Sequence, residues 1–144
     1  MSHAVRPDND VMSDESLPLL TAADLVRLAE SATKPCPCQS CAGIPAGGWE
    51  AVPGGFDRGV LRRVGTLRRS GEEEPTQLEH HPAGTNAWSP HAPIAPAFFP
   101  YNRCDVWVCA QCQRPFLRYT EYGGYYVEDR IRPVDGALVV DAPL

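Results

Sequence analysis

Apolar residues recur at helical spacing only once with clear flanking signals. Leu25, Leu28, Ala29 and Ala32 fall on one stripe, and Thr21-Ala22-Ala23-Asp24 ahead of them supplies a capping hydroxyl and an acidic first turn. The pattern predicts one amphipathic helix over about 21–33. It ends at Lys34, because Pro35 disfavours helical geometry in the residue before it and Pro37 follows. From Cys36 to Gly59 the chain is broken by Pro37, Pro45 and Pro53 and by Gly47-Gly48 and Gly54-Gly55, which suits turns and short irregular strands. Val60 to Arg69 interleaves Leu and Val with arginines and fits a strand or a short helix. Glu72 to Pro75 reads as an exposed loop.

Five prolines between His80 and Asn102 rule out a regular helix or a central strand there. Trp88, Phe98, Phe99 and Tyr101 in the same stretch predict an extended segment pinned to the domain by aromatic rings. The last third alternates more regularly. Asp105–Val108, Phe116–Tyr122 and Tyr125–Arg132 read as three strands, the first two joined by a tight cysteine turn and the last two by Gly123-Gly124. With those glycines at the two turn positions, Tyr122 faces Tyr125, Thr120 faces Val127, Arg118 faces Asp129 and Phe116 faces Ile131. Leu138 to Val140 would add a final short strand.

These elements give a small, β-rich α+β fold with one N-terminal helix and long Pro/Gly-rich loops. Residues 1–16 are polar and acidic with no periodic apolar pattern, so they are expected to be a disordered lead-in, with residues 17–144 forming a single domain. Leu, Ile, Val and Phe make up about a fifth of the 144 residues, and the 12 Gly and 15 Pro are nearly as numerous. Such a core is thin for its length and calls for a staple. No run approaches the roughly 18–20 apolar residues that span a bilayer. The acidic N-terminus is the opposite of a secretory signal, so a cytoplasmic location and reduced thiols are expected.

Six cysteines are the candidate staple. Cys38-Gln-Ser-Cys41 and Cys109-Ala-Gln-Cys112 are two C-x-x-C units, each able to turn both thiolates toward one metal, and together they make a tetrahedral sulfur set suited to zinc. The arrangement resembles the paired knuckles of zinc ribbons over the ligand turns and Asp105–Arg132. That resemblance implies knuckles at hairpin tips, a structural zinc held by Cys38, Cys41, Cys109 and Cys112, and residues 42–108 as an insertion packed around the site. Cys36 and Cys104 are left over. Cys36 could replace Cys38 as a ligand, or both could be buried thiols. Cys104-x4-Cys109-x2-Cys112 also has plant-type ferredoxin spacing, which keeps an iron–sulfur or thiol redox protein open, although no fourth cysteine follows.

Catalytic signatures are incomplete. Pro37-Cys38-Gln-Ser-Cys41 matches half of the zinc deaminase pattern, but the other half is missing, and no H-E-x-x-H, Walker A loop or nucleophile elbow occurs. Glu79-His80-His81, with His91 as a third histidine, reads as an exposed loop ahead of a catalytic or metal role. The chain is therefore expected not to be an enzyme. Its net charge of −5 disfavours a general nucleic-acid binder. The arginines at 58, 62, 63, 68 and 69 could hold phosphate, but read more simply as a solvated strand edge neutralised by Glu72 to Glu74. The leading expectation is a protein-binding module with Tyr119, Tyr122, Tyr125 and Tyr126 as anchors, acidic enough to favour a basic partner, for example as an inhibitor or immunity protein. A nucleic-acid-binding ribbon is the alternative.

Overall fold

The structure is a computed structural model that describes residues 16–32, 37–45, 47–71 and 74–144. One helix, α1 (Ala22–Glu30), precedes five strands: β1 (Glu50–Ala51), β2 (Leu61–Thr66), β3 (Asp105–Cys109), β4 (Pro115–Tyr122) and β5 (Val127–Pro133). They form one antiparallel sheet in the order β1-β5-β4-β3-β2. The small, β-rich α+β class expected from the pattern is what is observed. The expected disorder of residues 1–16 falls, except for Ser16, outside the described residues, as do Cys36 and the Lys34-Pro35 helix stop.

Thr21 caps α1 as its sequence suggests. Its hydroxyl accepts from the Asp24 N–H at 3.2 Å, and the Asp24 carboxylate accepts from the Thr21 N–H at 2.8 Å, a reciprocal capping box. The helix is shorter than the pattern implied, because Ser31 already caps its C-terminus with its N–H on the Arg27 and Leu28 carbonyls. Ahead of α1, Pro18 to Leu20 lie against the outer edge of β2: Leu20 N–H donates to Thr66 O at 2.9 Å and Thr66 N–H to Pro18 O at 3.0 Å. A side chain at Gly65 would sit 2.6 Å from Leu20, so only glycine permits this approach.

Side-chain alternation along the strands divides the core in two. Val106, Leu117 and Tyr119 point to one face, where they pack with Leu25, Trp49, Ile94, Tyr101 and Cys104 beneath α1. Phe116, Ile131, Leu61 and Cys109 point to the other, where Ile44 and Val52 cover them. Val60–Arg69 resolves in favour of the strand. The proline-rich segment is pinned by Ile94, Phe98 and Tyr101, whereas Trp88 stays half-exposed with the Arg130 guanidinium 4.7 Å over its ring. Arg132 adds a tether: fully buried, it donates to the Tyr101 hydroxyl and to Ala92 O at 2.7 Å.

The β4–β5 register differs from the expected one. Tyr122 pairs with Val127, Thr120 with Asp129, Arg118 with Ile131 and Phe116 with Pro133. Gly123 N–H donates to Tyr126 O at 2.9 Å, which puts Gly124 and Tyr125 at the centre of the turn. The Tyr126 ring lies where a Gly123 side chain would be, with ring atoms 2.5 to 2.9 Å from that position, so the bare glycine is spent opposite Tyr126. The shift of two residues per pair keeps every side chain on its intended face. Arg118 and Asp129 become diagonal neighbours and still form an ion pair at 3.0 Å. Leu138–Val140 gives no full strand: Gly136–Leu138 is a 3-10 turn, and Val139 bridges Ile94 in parallel.

Candidate metal centre

The second cysteine turn joins β3 to β4, so it sits at a hairpin tip. Cys109 N–H donates to Arg114 O at 2.9 Å, and Gln113 N–H returns to Cys109 O at 2.8 Å with Gln113 at φ +66°. The first turn departs from the hairpin-tip expectation. It lies in the connection between α1 and β1, where the proline-broken chain provides no paired strands to carry it. There Cys41 N–H donates to Cys38 O, and Ile44 N–H to Cys41 O, both at 3.2 Å. The two turns also touch through Ser40, whose hydroxyl donates to the Gln111 side-chain oxygen. Residues 42–108 are not a peripheral insertion, since β1, β2 and β3 all come from them.

Cys38, Cys41, Cys109 and Cys112 converge, with all four sulfurs within 4.8 Å of one another. The Cys38–Cys109, Cys41–Cys112 and Cys38–Cys41 Sγ separations are 3.5, 3.6 and 3.9 Å. A tetrahedron with metal–sulfur bonds of about 2.3 Å has edges of about 3.8 Å, so the box is the size a four-thiolate metal site requires. Cys41, Cys109 and Cys112 are buried and Cys38 is half-buried.

The electrostatics of the box agree. Burial pushes the Cys41 thiol up to about 12 and raises Cys109 as well. Desolvation works against ionisation of Cys38 too, but the Cys41 N–H, the facing Cys109 and Cys112 thiols and the Ser40 N–H outweigh it and bring Cys38 down to about 6. Cys112 is opposed by desolvation in the same way and is lowered by the N–H groups of Arg114 and Cys38. Four sulfurs this close cannot all be anionic without a cation among them, and the surrounding backbone N–H groups favour thiolate once one is there.

The remaining candidates are not drawn in. Cys104 is fully buried in the opposite core with its thiol donating to Pro100 O at 3.3 Å, so the ferredoxin-type spacing is not realised as a cluster. Cys36 lies outside the described residues. His81 Nε2–H donates to the Glu79 carboxylate at 2.6 Å, His80 packs on Phe98 with ring centroids 5.0 Å apart, and His91 is exposed. Among the described residues the four cysteines are the one group of three or more potential ligands that converge. Arg58 pairs with Asp129, and Arg63 and Arg68 share Asp105, while Glu72 and Glu73, two of the expected neutralisers, lie outside the described residues. These aspartates lie across the sheet, out of sight of a local charge count. No helix among the described residues is long and apolar enough to cross a membrane. No protein-family model matches the chain, and no curated protein or solved structure matches it significantly.

Proposed function

We propose that this chain is a protein-binding module stapled by zinc. Cys38, Cys41, Cys109 and Cys112 hold the ion at one end of the sheet, and the β4–β5 hairpin presents aromatic anchors at the other, roughly 25 Å away along the eight residues of β4. Support for zinc is the donor set itself: four thiolates at tetrahedral spacing suit it, and a set closed by four protein ligands leaves no coordination position for a substrate. That makes the metal structural and the reading non-enzymatic.

The observation that carries the binding role is the concentration of exposed rings at the hairpin end. Tyr125 is fully exposed, Tyr122 is 76% and Val127 67% exposed, and Tyr126 and Trp88 are half-exposed. Tyr126 and Trp88 share a cavity of about 280 Å³ with Phe99 and Tyr119. Aromatic residues that keep one face in water are the usual anchors of protein interfaces. Tyr119, by contrast, is core, packed edge-on against Trp49. The net charge of −5 favours encounter with a basic partner, including a basic enzyme that the module would inhibit. Three of the five arginines of the run, Arg58, Arg63 and Arg68, are engaged by aspartates, which weakens the phosphate-binding alternative.

Elemental analysis of protein purified under reducing conditions is expected to give one zinc per chain in a colourless sample; iron with visible absorbance refutes the zinc assignment. Selection of peptide ligands on the metal-loaded protein, with a Tyr125→Ala, Val127→Ser double variant as counter-target, tests the interface. Enriched ligands should lose the variant. Ligands indifferent to it refute the hairpin end as the binding surface.

A further inference from the structure

The two outer edges of the sheet are not open templates: Pro18 to Leu20 cover β2, and β1 is only two residues long. A third edge arises inside the sheet, because β4 outruns β3. The β3–β4 ladder stops at the pair Asp105–Arg118, while β4 continues to Tyr122. Hydrogen-bond alternation fixes which backbone groups are left over. Cys109 N–H bonds to Arg114 O, so the bonded pairs toward β3 use the even-numbered residues of β4, namely Phe116 and Arg118. Toward β5, Val134 N–H on Pro115 O and Gly123 N–H on Tyr126 O place the bonds on odd-numbered residues. The N–H and C=O groups of Thr120 and Tyr122 therefore aim to the side that β3 has vacated, where no backbone hydrogen bond reaches them from the described residues.

Beside Thr120 and Tyr122 lies a groove of about 570 Å³ lined by Tyr119 and Glu121 of β4 together with Arg68, Gln77, Phe99 and Arg103, Arg68 being paired with Asp105. It is charged as well as apolar. Arg103 lies over the Phe99 ring at 5.2 Å and gives one N–H to Pro75 O at 3.2 Å, but its Nε is buried without an acceptor, and none of the ion pairs among the described residues includes it.

We propose that this edge binds an extended peptide segment of a partner protein, which adds a strand antiparallel to β4 in the line of β3 and sets an acidic side chain against Arg103. Main-chain bonds to Thr120 and Tyr122 supply affinity without regard to sequence, and Arg103 supplies selectivity. The inference rests on the protein-binding reading and narrows it from a surface to a strand. Whole-chain acidity governs the approach of a partner; the local arginine governs the seated contact.

The test is a display library of random linear peptides selected on the metal-loaded protein, followed by affinity measurements on three variants. Thr120→Pro removes an N–H that β5 does not use, so the β4–β5 ladder is kept while the edge is blocked. Selected peptides should carry Asp or Glu and lose at least about tenfold in affinity on each of Thr120→Pro and Arg103→Met, in addition to whatever they lose at the Tyr125 end. Amide exchange on the unmutated protein provides a second reading that does not depend on how Thr120→Pro folds: Thr120 and Tyr122 should become protected when a selected peptide is added. Peptides lost on Tyr125→Ala but unaffected by Thr120→Pro, with no protection at Thr120 and Tyr122, overturn the strand docking and leave the protein-binding reading standing. Failure to enrich any peptide sensitive to either variant counts against both.

Discussion

Removing the metal is the perturbation whose size can be worked out most directly. The chain from Cys38 to Val52 is held onto the second core by the cysteine box, by Ile44 and Val52, and by the Ser40–Gln111 hydrogen bond. Burial of the two aliphatic side chains contributes about 3–6 kcal/mol together, and the exposed hydrogen bond about 1 kcal/mol or less. A four-thiolate zinc site contributes on the order of 10 kcal/mol at neutral pH, comparable to the whole net stability of an ordinary domain at about 5–15 kcal/mol. On the zinc reading the metal thus outweighs each of these contacts in holding that half. At roughly 3 °C per kcal/mol for a chain of this size, its loss corresponds to a fall of about 30 °C in Tm. Zinc binding by the unfolded thiols takes part of this back, so a drop of at least about 15 °C is expected. Circular dichroism melts with and without a strong chelator, with metal content measured on the same samples, are the assay. A drop below about 5 °C in protein shown to be metal-free refutes the reasoning, and Cys41→Ser melting like the unmodified protein would do the same.

Gln113, at φ +66° in the second cysteine turn, bears the penalty that a side chain carries in left-handed geometry, so Gln113→Gly should stabilise by about 1 kcal/mol, read as a rise of a few degrees in Tm. Cys104→Ala should leave the metal stoichiometry unchanged, since its thiol lies in the other core; loss of metal would place it in the ligand set after all. Thr21→Ala should cost about 1 kcal/mol of stability by deleting the helix cap, measured by denaturant titration. The same cap predicts a pH dependence. The Thr21 N–H and then its hydroxyl hold the Asp24 carboxyl below its ordinary 3.8, so the contribution of Asp24 is complete above that pH and is lost as pH falls through the lowered folded value. Protection factors of the α1 amides, corrected for the intrinsic exchange rate at each pH, that do not fall on acidification through this range would contradict it.

Local signals were legible and distant ones were not. Thr21 and Asp24 are three residues apart, and the two C-x-x-C turns carry their geometry in their spacing, so the cap and the convergence of the four cysteines could both be read from the chain. The Phe116–Tyr122 strand and its neighbours followed from period-two alternation. The exact hairpin register did not, because a register shifted by two residues satisfies the same alternation and the packing of Tyr126 over Gly123 goes with the observed one. Arg132 looked like an ordinary hairpin residue, yet it is buried and holds the proline-rich segment through Ala92, 40 residues away. Likewise Asp105 and Asp129, distant in sequence, pair with Arg58, Arg63 and Arg68 across the sheet. Pro18 to Leu20 offered no strand pattern at all, and their place on β2 depends on the missing side chain of Gly65.

The order in which the ligands occur along the chain has a consequence for biosynthesis. Cys38 and Cys41 leave the ribosome first, and 67 residues, including the whole proline-rich segment, are made before Cys109 arrives. The nascent chain meanwhile carries a dithiol pair that can bind metal only loosely or be oxidised, and the sheet half that buries it is still absent. The β3–β4 hairpin brings the second cysteine pair to the first, so on the zinc reading the site can close only when that hairpin forms, late in synthesis. On the same reading, chains made without zinc would lack the bond that joins the two cysteine turns.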